Sequence, residues 1–177
     1  MRWFWVDRFS EFVSGSHATA AKAVTLSEDH LHDHFVGHPI MPNSLVTEGI
    51  AQTGGLLVSE HYGFSELVVL GKIAKSKFHS VVRPGETITY RTKIEAARED
   101  GAVVSATGHV GDRLHAEAQL AFARMGAGSD NMFGRELFTA EHLLHWLTIV
   151  GVFEVGVRQD GTPLKAADYE PFSAALA

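Results

Sequence analysis

The chain has 177 residues, no cysteine and a formal net charge of −6. Its 45% hydrophobic and 20% charged residues are typical of one globular domain with a sizeable core, which excludes a disordered chain. The lack of cysteine excludes disulfides, thiolate metal sites and cysteine nucleophiles, and the acidic balance argues against nucleic acid as a partner.

The sequence predicts no membrane partner. No apolar run reaches the ~18 residues of a spanning helix. The apolar start of the chain is interrupted at Asp7, short of the roughly 7–15 residues of a secretory segment. We therefore expect a cytoplasmic protein.

The first predicted elements are two strands within residues 7–25 that flank a turn at 14–16. A polar, histidine-rich loop over residues 29–42 follows. Residues 43–62 are predicted to form a helix, with Asn43 or Ser44 as the cap of its first turn.

Apolar residues fall on nearly every side of this predicted helix, which favours a position in the core. Gly49, Gly54 and Gly55 weaken the helix intrinsically but permit the close approach of a sheet or a partner chain. Tertiary packing is therefore expected to stabilise it.

After residue 66 the pattern changes to alternating segments joined by short turns, as in hairpin-linked strands. We predict strands over residues 67–74, 75–82, 87–97, 102–110 and 114–125. One buried helix followed by long antiparallel strands indicates an α+β fold, with the sheet packed on the helix.

The tail begins with a predicted linker over residues 125–130. A helix is predicted over residues 140–150, with Thr139 as its cap and Phe138 packed on Leu143. We expect the apolar stripe of this helix to cover an exposed sheet face. A longer dimer interface and a lid over a ligand tunnel are the alternatives.

Glu48 is the only charged residue between Pro39 and Ser59. A carboxyl on an apolar helix costs free energy unless it is paired or protonated, and burial would raise its pKa towards that of a general acid. The alternative is that Glu48 points to solvent. Gln52 lies one turn later on the same face, where its amide could orient the carboxylate.

The chain has 11 histidines, and several lie within residues 30–38. If that segment were a strand, His30, His32 and His34 would share one face and could hold a metal. The spacing of further ligands expected for such a site does not follow, and no HExxH helix exists. We therefore predict no metal and no cofactor, and we expect His30 and His32 to belong to a polar loop.

The segment HFVGHPIMP at residues 34–42, followed by Glu48 and Gln52, resembles the signature of the (3R)-hydroxyacyl-[acyl-carrier-protein] dehydratases of fatty acid synthesis. In that family an HFPGxPxxPG loop leads into a helix that carries ExxAQ, and the fourteen positions between His34 and Glu48 match the family's catalytic pair. Further likenesses at residues 5–8 and 83–86 extend the resemblance to about residues 3–125. Glutamate at position 48 resembles the branch that dehydrates without isomerising.

The resemblance implies a hotdog fold over residues 1–127, with a long sheet wrapped around the central helix. Residues 128–177 would be an extension of unknown role. It also implies a homodimer, assembled in many members into a hexamer as a trimer of dimers, in which His34 of one chain faces Glu48 of the other.

The implied substrate is a 3-hydroxyacyl thioester of acyl carrier protein or coenzyme A. His34 would remove the α-proton as general base, and Glu48 would protonate the departing hydroxyl. Backbone amides around Gly37 and Asn43 would stabilise the enolate oxygen.

Two further surfaces follow from the same resemblance. Ile50 and Leu56 are candidates for the lining of an acyl tunnel, the alternative being that they are simply core residues. A basic patch for an acidic carrier would draw on Lys72, Lys75, Lys77 and Arg83, although a solvated strand face is equally compatible with them.

The sequence departs from the family pattern at Val36, Asn43 and Ser44, where the family has proline, glycine and a hydrophobic residue. Two other functions therefore stay open. One is a hotdog thioesterase in which Glu48 activates water. The other is an acyl-binding homologue without catalytic activity.

Overall fold

In a computed structural model, which describes residues 4–126, 139–173 and 175–176, the strands form one sheet around a long helix. The strands are β1 (Arg8–Val13), β2 (His17–Ala23), β3 (Leu67–Phe78), β4 (Thr87–Arg98), β5 (Gly101–Val110), β6 (Arg113–Met125) and β7 (Gly156–Val157). The helices are α1 (His30–Asp33), α2 (Asn43–His61), α3 (Ala140–Ile149) and α4 (Val152–Val155), followed by 3₁₀ turns at Ala166–Asp168 and Glu170–Phe172. The strand order is β3-β6-β5-β4-β2-β1-β7, and β7 alone among these pairs in parallel with its neighbour. The α+β prediction is confirmed, as is the arrangement of a sheet around a central helix that the resemblance implies.

The central helix α2 confirms the predicted element to within one residue. It buries Val46, Ile50 and Leu57 against the sheet. Gly49 is needed for this contact, because a Cβ atom there would lie 2.5 Å from the ring of Tyr90 on β4.

The predicted cap of α2 is wrong. Pro42 occupies the N-cap position with extended backbone (φ −60°, ψ 131°), and its side chain offers no acceptor. Asn43 and Ser44 already belong to the first turn of the helix, and both are exposed.

The prediction of separate strands over 67–74 and 75–82 is also wrong, because one twelve-residue strand, β3, spans the first and half of the second. Register shifts between Leu70 and Lys72 and between Ile73 and Lys75 disturb the alternation without ending the pairing with β6. The sequence pattern therefore suggested a break where the strand only bends.

The tail joins the sheet at its β1 edge. Thr139 caps α3 as predicted, its hydroxyl accepting the His142 N–H at 3.2 Å. Beyond α3, β7 pairs with β1, and Phe9 N–H donates to the carbonyl of Val150 at 2.7 Å. Phe138 and most of the predicted linker lie outside the described residues. The division of the chain at residues 127 and 128 stays a prediction.

A buried carboxyl joins three parts of the fold. Glu60 of α2 is 4% exposed, and one of its oxygens accepts hydrogen bonds from the hydroxyls of Ser14 and Tyr169, both at 2.8 Å. Burial, and then the bond to Glu60, raise the pKa of Tyr169 well above its usual value. The tail is thereby tied to the central helix and to the β1–β2 turn.

Within the described residues, no helix combines the length and apolarity needed to cross a membrane.

Candidate active site

Glu48 and Gln52 lie one turn apart on α2 and are hydrogen-bonded to each other. Gln52 Nε2 donates to Glu48 Oε1 at 2.9 Å. The other end of the same amide, Gln52 Oε1, accepts the backbone N–H of Trp5 at 2.8 Å. The amide is therefore held from both sides, with its donor end directed at the carboxylate. The part played by Trp5 was not predicted, since a backbone donor leaves no signal in the sequence.

Glu48 is exposed on its own chain, and the expectation that it lies in an apolar setting is wrong for the single chain. The reason is that α2 is covered by the sheet on one side only, and Glu48 stands on the other side, at an open groove. None of the described residues encloses this carboxylate on the groove side.

The groove at Glu48 has a volume of about 680 Å³. Its floor is the Glu48–Gln52 face of α2, which continues to Leu56 and Ser59. One wall comes from the start of β3, and another comes from α3 and from Phe172. Leu56, one of the two residues predicted to line an acyl tunnel, lines this groove, whereas Ile50 is a core residue.

His34 follows α1 in a tight loop. Its ring stacks on Phe35 at 4.2 Å, and its carbonyl accepts the Ile40 N–H at 2.9 Å. Phe35 and His38 exchange backbone hydrogen bonds, and Gly37 between them has a positive φ of 73°. The loop therefore has a defined shape that depends on a glycine at position 37.

The predicted site residues fall into two groups. Among the described residues the groove is lined by Glu48 and Gln52 but not by His34, Gly37 or Asn43. Asn43 is the first residue of α2, and its amide and that of Ser44 precede the first hydrogen bond of the helix, which runs from the Leu45 N–H to the Pro42 carbonyl at 3.0 Å. One chain does not bring the two groups into one groove.

His30 and His32 lie on the short helix α1 and His34 follows at its end, so these histidines do not share the face of a strand. His30 packs edge-on against Trp5, and burial lowers its pKa. His32 Nε2 is 2.9 Å from the carbonyl oxygen of Leu26. In the described part of the chain, no three potential metal-ligating side chains are grouped to hold an ion.

A long central helix wrapped by an antiparallel sheet, with a carboxylate held at a groove on the helix, defines a protein of the hotdog class. The FabA-like domain family matches residues 4–119. A 3-hydroxyacyl-[acyl-carrier-protein] dehydratase FabZ of Chloroflexus aggregans is 39% identical over 121 residues, covering 67% of this chain and 83% of that protein. The FabZ of Levilactobacillus brevis is 34% identical over 118 residues, covering 66% and 80%. The chain therefore belongs to the FabA-like family and, within it, to the FabZ dehydratases.

Solved structures support the fold. The dehydratase heterocomplex ApeI:P of Xenorhabdus doucetiae is similar with a TM-score of 0.60 and 12% identity, covering 73% of this chain and 88% of that chain. A Streptococcus mutans protein bound to acetyl CoA has a TM-score of 0.58 and 16% identity, covering 71% and 94%. At these identities the likeness concerns the fold alone. The family match ends at residue 119, so α3 and the turns after it lie beyond it.

Proposed function

We propose that this protein dehydrates (3R)-3-hydroxyacyl thioesters of acyl carrier protein to trans-2-enoyl thioesters, in fatty acid or related lipid synthesis. The observation that carries the proposal is the Glu48 carboxylate, held by Gln52 at the head of an apolar groove and preceded by the His34 loop at the family's spacing. The cytoplasm is our proposed compartment.

In the proposed reaction His34, as the neutral imidazole, takes the proton from C2 of the substrate. The electron pair of that bond moves into an enolate on the thioester and then forms the C2–C3 double bond. Glu48, in its protonated form, gives its proton to the C3 hydroxyl, which leaves as water. Amides near Gly37 and at the first turn of α2, from Asn43, would stabilise the negative charge on the thioester oxygen.

This reaction needs His34 and Glu48 together, and we propose that two chains supply them in a homodimer. The outer edge of β3 is not paired with any described strand, and Leu70 and Ile73 on this strand are 38% and 49% exposed. A bare strand of this length with apolar side chains favours pairing with a second copy. Such a partner would cover the groove side of Glu48 and present its own His34. A trimer of dimers is the larger assembly that we propose.

We propose acyl carrier protein as the carrier, with coenzyme A as the alternative. Lys72, Lys75 and Lys77 are all exposed on β3, and Arg83 is exposed in the loop that follows. Lys75 also lies 3.9 Å from Glu117, so part of its charge is compensated. Exposed cations on one edge favour an acidic partner mainly through the rate of association.

The test follows the appearance of the enoyl thioester by its ultraviolet absorbance, with 3-hydroxyacyl carrier-protein substrates. His34→Ala and Glu48→Gln should each lower kcat by about 10²–10⁴-fold, the contribution of one positioned acid or base. Full activity in either variant, or release of free thiol instead of enoyl product, would overturn the proposal. The second result would indicate a thioesterase.

The two-chain site has its own test. A mixed dimer of His34→Ala and Glu48→Gln chains contains one site with both residues intact. Random re-association of equal amounts should therefore restore about a quarter of the wild-type activity, since about half of the dimers are mixed and each has one of its two sites. No recovery despite proven exchange of chains would place both residues in one chain and contradict the shared site.

A further inference from the structure

The groove at Glu48 has one wall that comes from outside the region matched by the family. Leu143 and Trp146 of α3, together with Phe172, face the groove, and all three follow the last matched residue, 119. The floor and the first wall come from α2 and β3, inside the matched region. The region matched by the family and the residues that follow it therefore both line the groove of this chain.

The floor has the shape that an extended ligand requires. Glu48, Gln52, Leu56 and Ser59 follow one another along one face of α2. Eleven positions separate the first from the last, a length of ~16 Å along a helix. A ligand with its reacting group at Glu48 would therefore extend over Leu56 towards Ser59.

The middle of the groove is apolar. Gly55 and Leu56 lie on the floor, and Leu143, Trp146 and Phe122 also face the space. A Cβ atom on Gly55 would lie 3.3 Å from the ring of Phe122, so glycine keeps this stretch open. An alkyl chain is the ligand class that gains from such a lining, because it has no polar groups to desolvate.

Trp146 and Leu143 differ in how tightly they are held. Trp146 is 8% exposed and its ring packs on Phe4, with ring centroids 5.1 Å apart. Leu143 is only half-buried. The indole is thus a fixed part of the wall, whereas the size of side chain 143 can change without rebuilding the core.

We propose that the tail, residues 139–173, forms one wall of the acyl-chain site, and that Leu143 sets the length of chain the site accepts. This inference rests on the proposed function, in that the acyl thioester is the same substrate. It assigns to the tail a role in substrate selection that the family domain alone does not supply.

The experiment compares Leu143→Trp and Leu143→Ala with the wild type over a series of thioesters from 3-hydroxybutyryl to 3-hydroxytetradecanoyl. The larger ring introduced by Leu143→Trp would fill the space, so kcat/KM should fall for long chains by about tenfold or more relative to short ones, the scale of discrimination in hydrophobic pockets. Leu143→Ala should move the preference towards longer chains. His145→Trp adds the same ring at an exposed position of the same helix and should leave the preference unchanged.

A second readout measures binding without chemistry. Calorimetry with saturated acyl-pantetheine amides, which have no hydroxyl to lose, should show the same shift in length preference. An unchanged length profile in both Leu143 variants would overturn the proposal, whatever the activity. If the Leu143 variants show a shifted length preference in binding but the protein dehydrates none of the substrates, the acyl-chain site is supported and the proposed function is rejected.

Discussion

Gln52 links Glu48 to the N-terminal segment of the chain. Its amide donates to the Glu48 carboxylate at 2.9 Å and accepts the Trp5 N–H at 2.8 Å. Because the two ends of an amide have opposite hydrogen-bonding character, the Trp5 contact determines which end faces Glu48. A main-chain group forty-seven positions before Gln52 in sequence thus helps to fix the Glu48 carboxylate.

The first prediction concerns this link. Gln52→Glu keeps an acceptor for Trp5 but replaces the donor to Glu48 by a carboxylate oxygen. A hydrogen bond between neutral groups contributes about 0.5–1.5 kcal/mol, so loss of the donor that orients the protonated Glu48 should lower kcat by about two- to tenfold. The measurement is the dehydration rate, together with the melting temperature to show that the variant is folded. Gln119→Glu, at an exposed position of β6, is the matched control and should retain the wild-type rate. An unchanged kcat in Gln52→Glu would mean that the link has no catalytic role.

The second prediction concerns the buried Glu60. Tyr169→Phe removes one of the two donors to this carboxylate and should lower the free energy of unfolding by about 1–3 kcal/mol. The measurement is urea denaturation. Tyr90→Phe is the control, because its buried hydroxyl has no hydrogen-bond partner among the described residues. That variant should be as stable as the wild type or more stable. Equal losses in both variants would show that the Glu60 contact contributes nothing specific.

The third prediction concerns the edge of β3. Ile73→Glu places a charge on the strand through which we expect two chains to pair, and it should convert the dimer into a monomer and abolish dehydration. Light scattering after size-exclusion chromatography gives the mass. Ile149→Glu, on α3, is the control because Ile149 is 56% exposed, close to the 49% of Ile73. A dimer that survives Ile73→Glu would exclude this edge as the interface.

The fourth prediction concerns acid stability. Burial lowers the pKa of His115, and likewise those of His30 and His109, below the usual value of 6.5. As the pH falls, the unfolded chain therefore binds more protons than the native state does. The stabilisation is complete above the unfolded pKa, and the free energy of unfolding should decrease as the pH falls below about 6.5. His115→Gln should reduce this slope, and His145→Gln, at an exposed position, should leave it unchanged. Denaturation curves across this range provide the measurement, and an identical slope in His115→Gln would refute the assignment.

Local patterns predicted most of the fold. The apolar residues on nearly every side of residues 43–62 predicted a helix in the core, and α2 is a helix that buries one side against the sheet. Ile88, Tyr90 and Thr92 alternate with more exposed residues, as expected for a strand with one buried face. The strand β3 was misjudged because its two register shifts are set by the pairing with β6, which local alternation does not record. The cap of α2 was misjudged by one position, since Pro42 rather than a polar residue stands at the N-cap.

The sequence by itself also determined the family and made Glu48 the candidate carboxylate, because the spacing of His34 and Glu48 and the position of Gln52 one helical turn later are properties of the chain order. Only the tertiary structure decided where Glu48 stands, which is at an open groove rather than in the core. It also decided that the tail forms a wall of that groove, which Leu143 lines together with the face of α2. The physical reason is that exposure and contact depend on what packs against a helix from distant parts of the chain, and a periodic pattern records which residues are apolar but not which surface covers them.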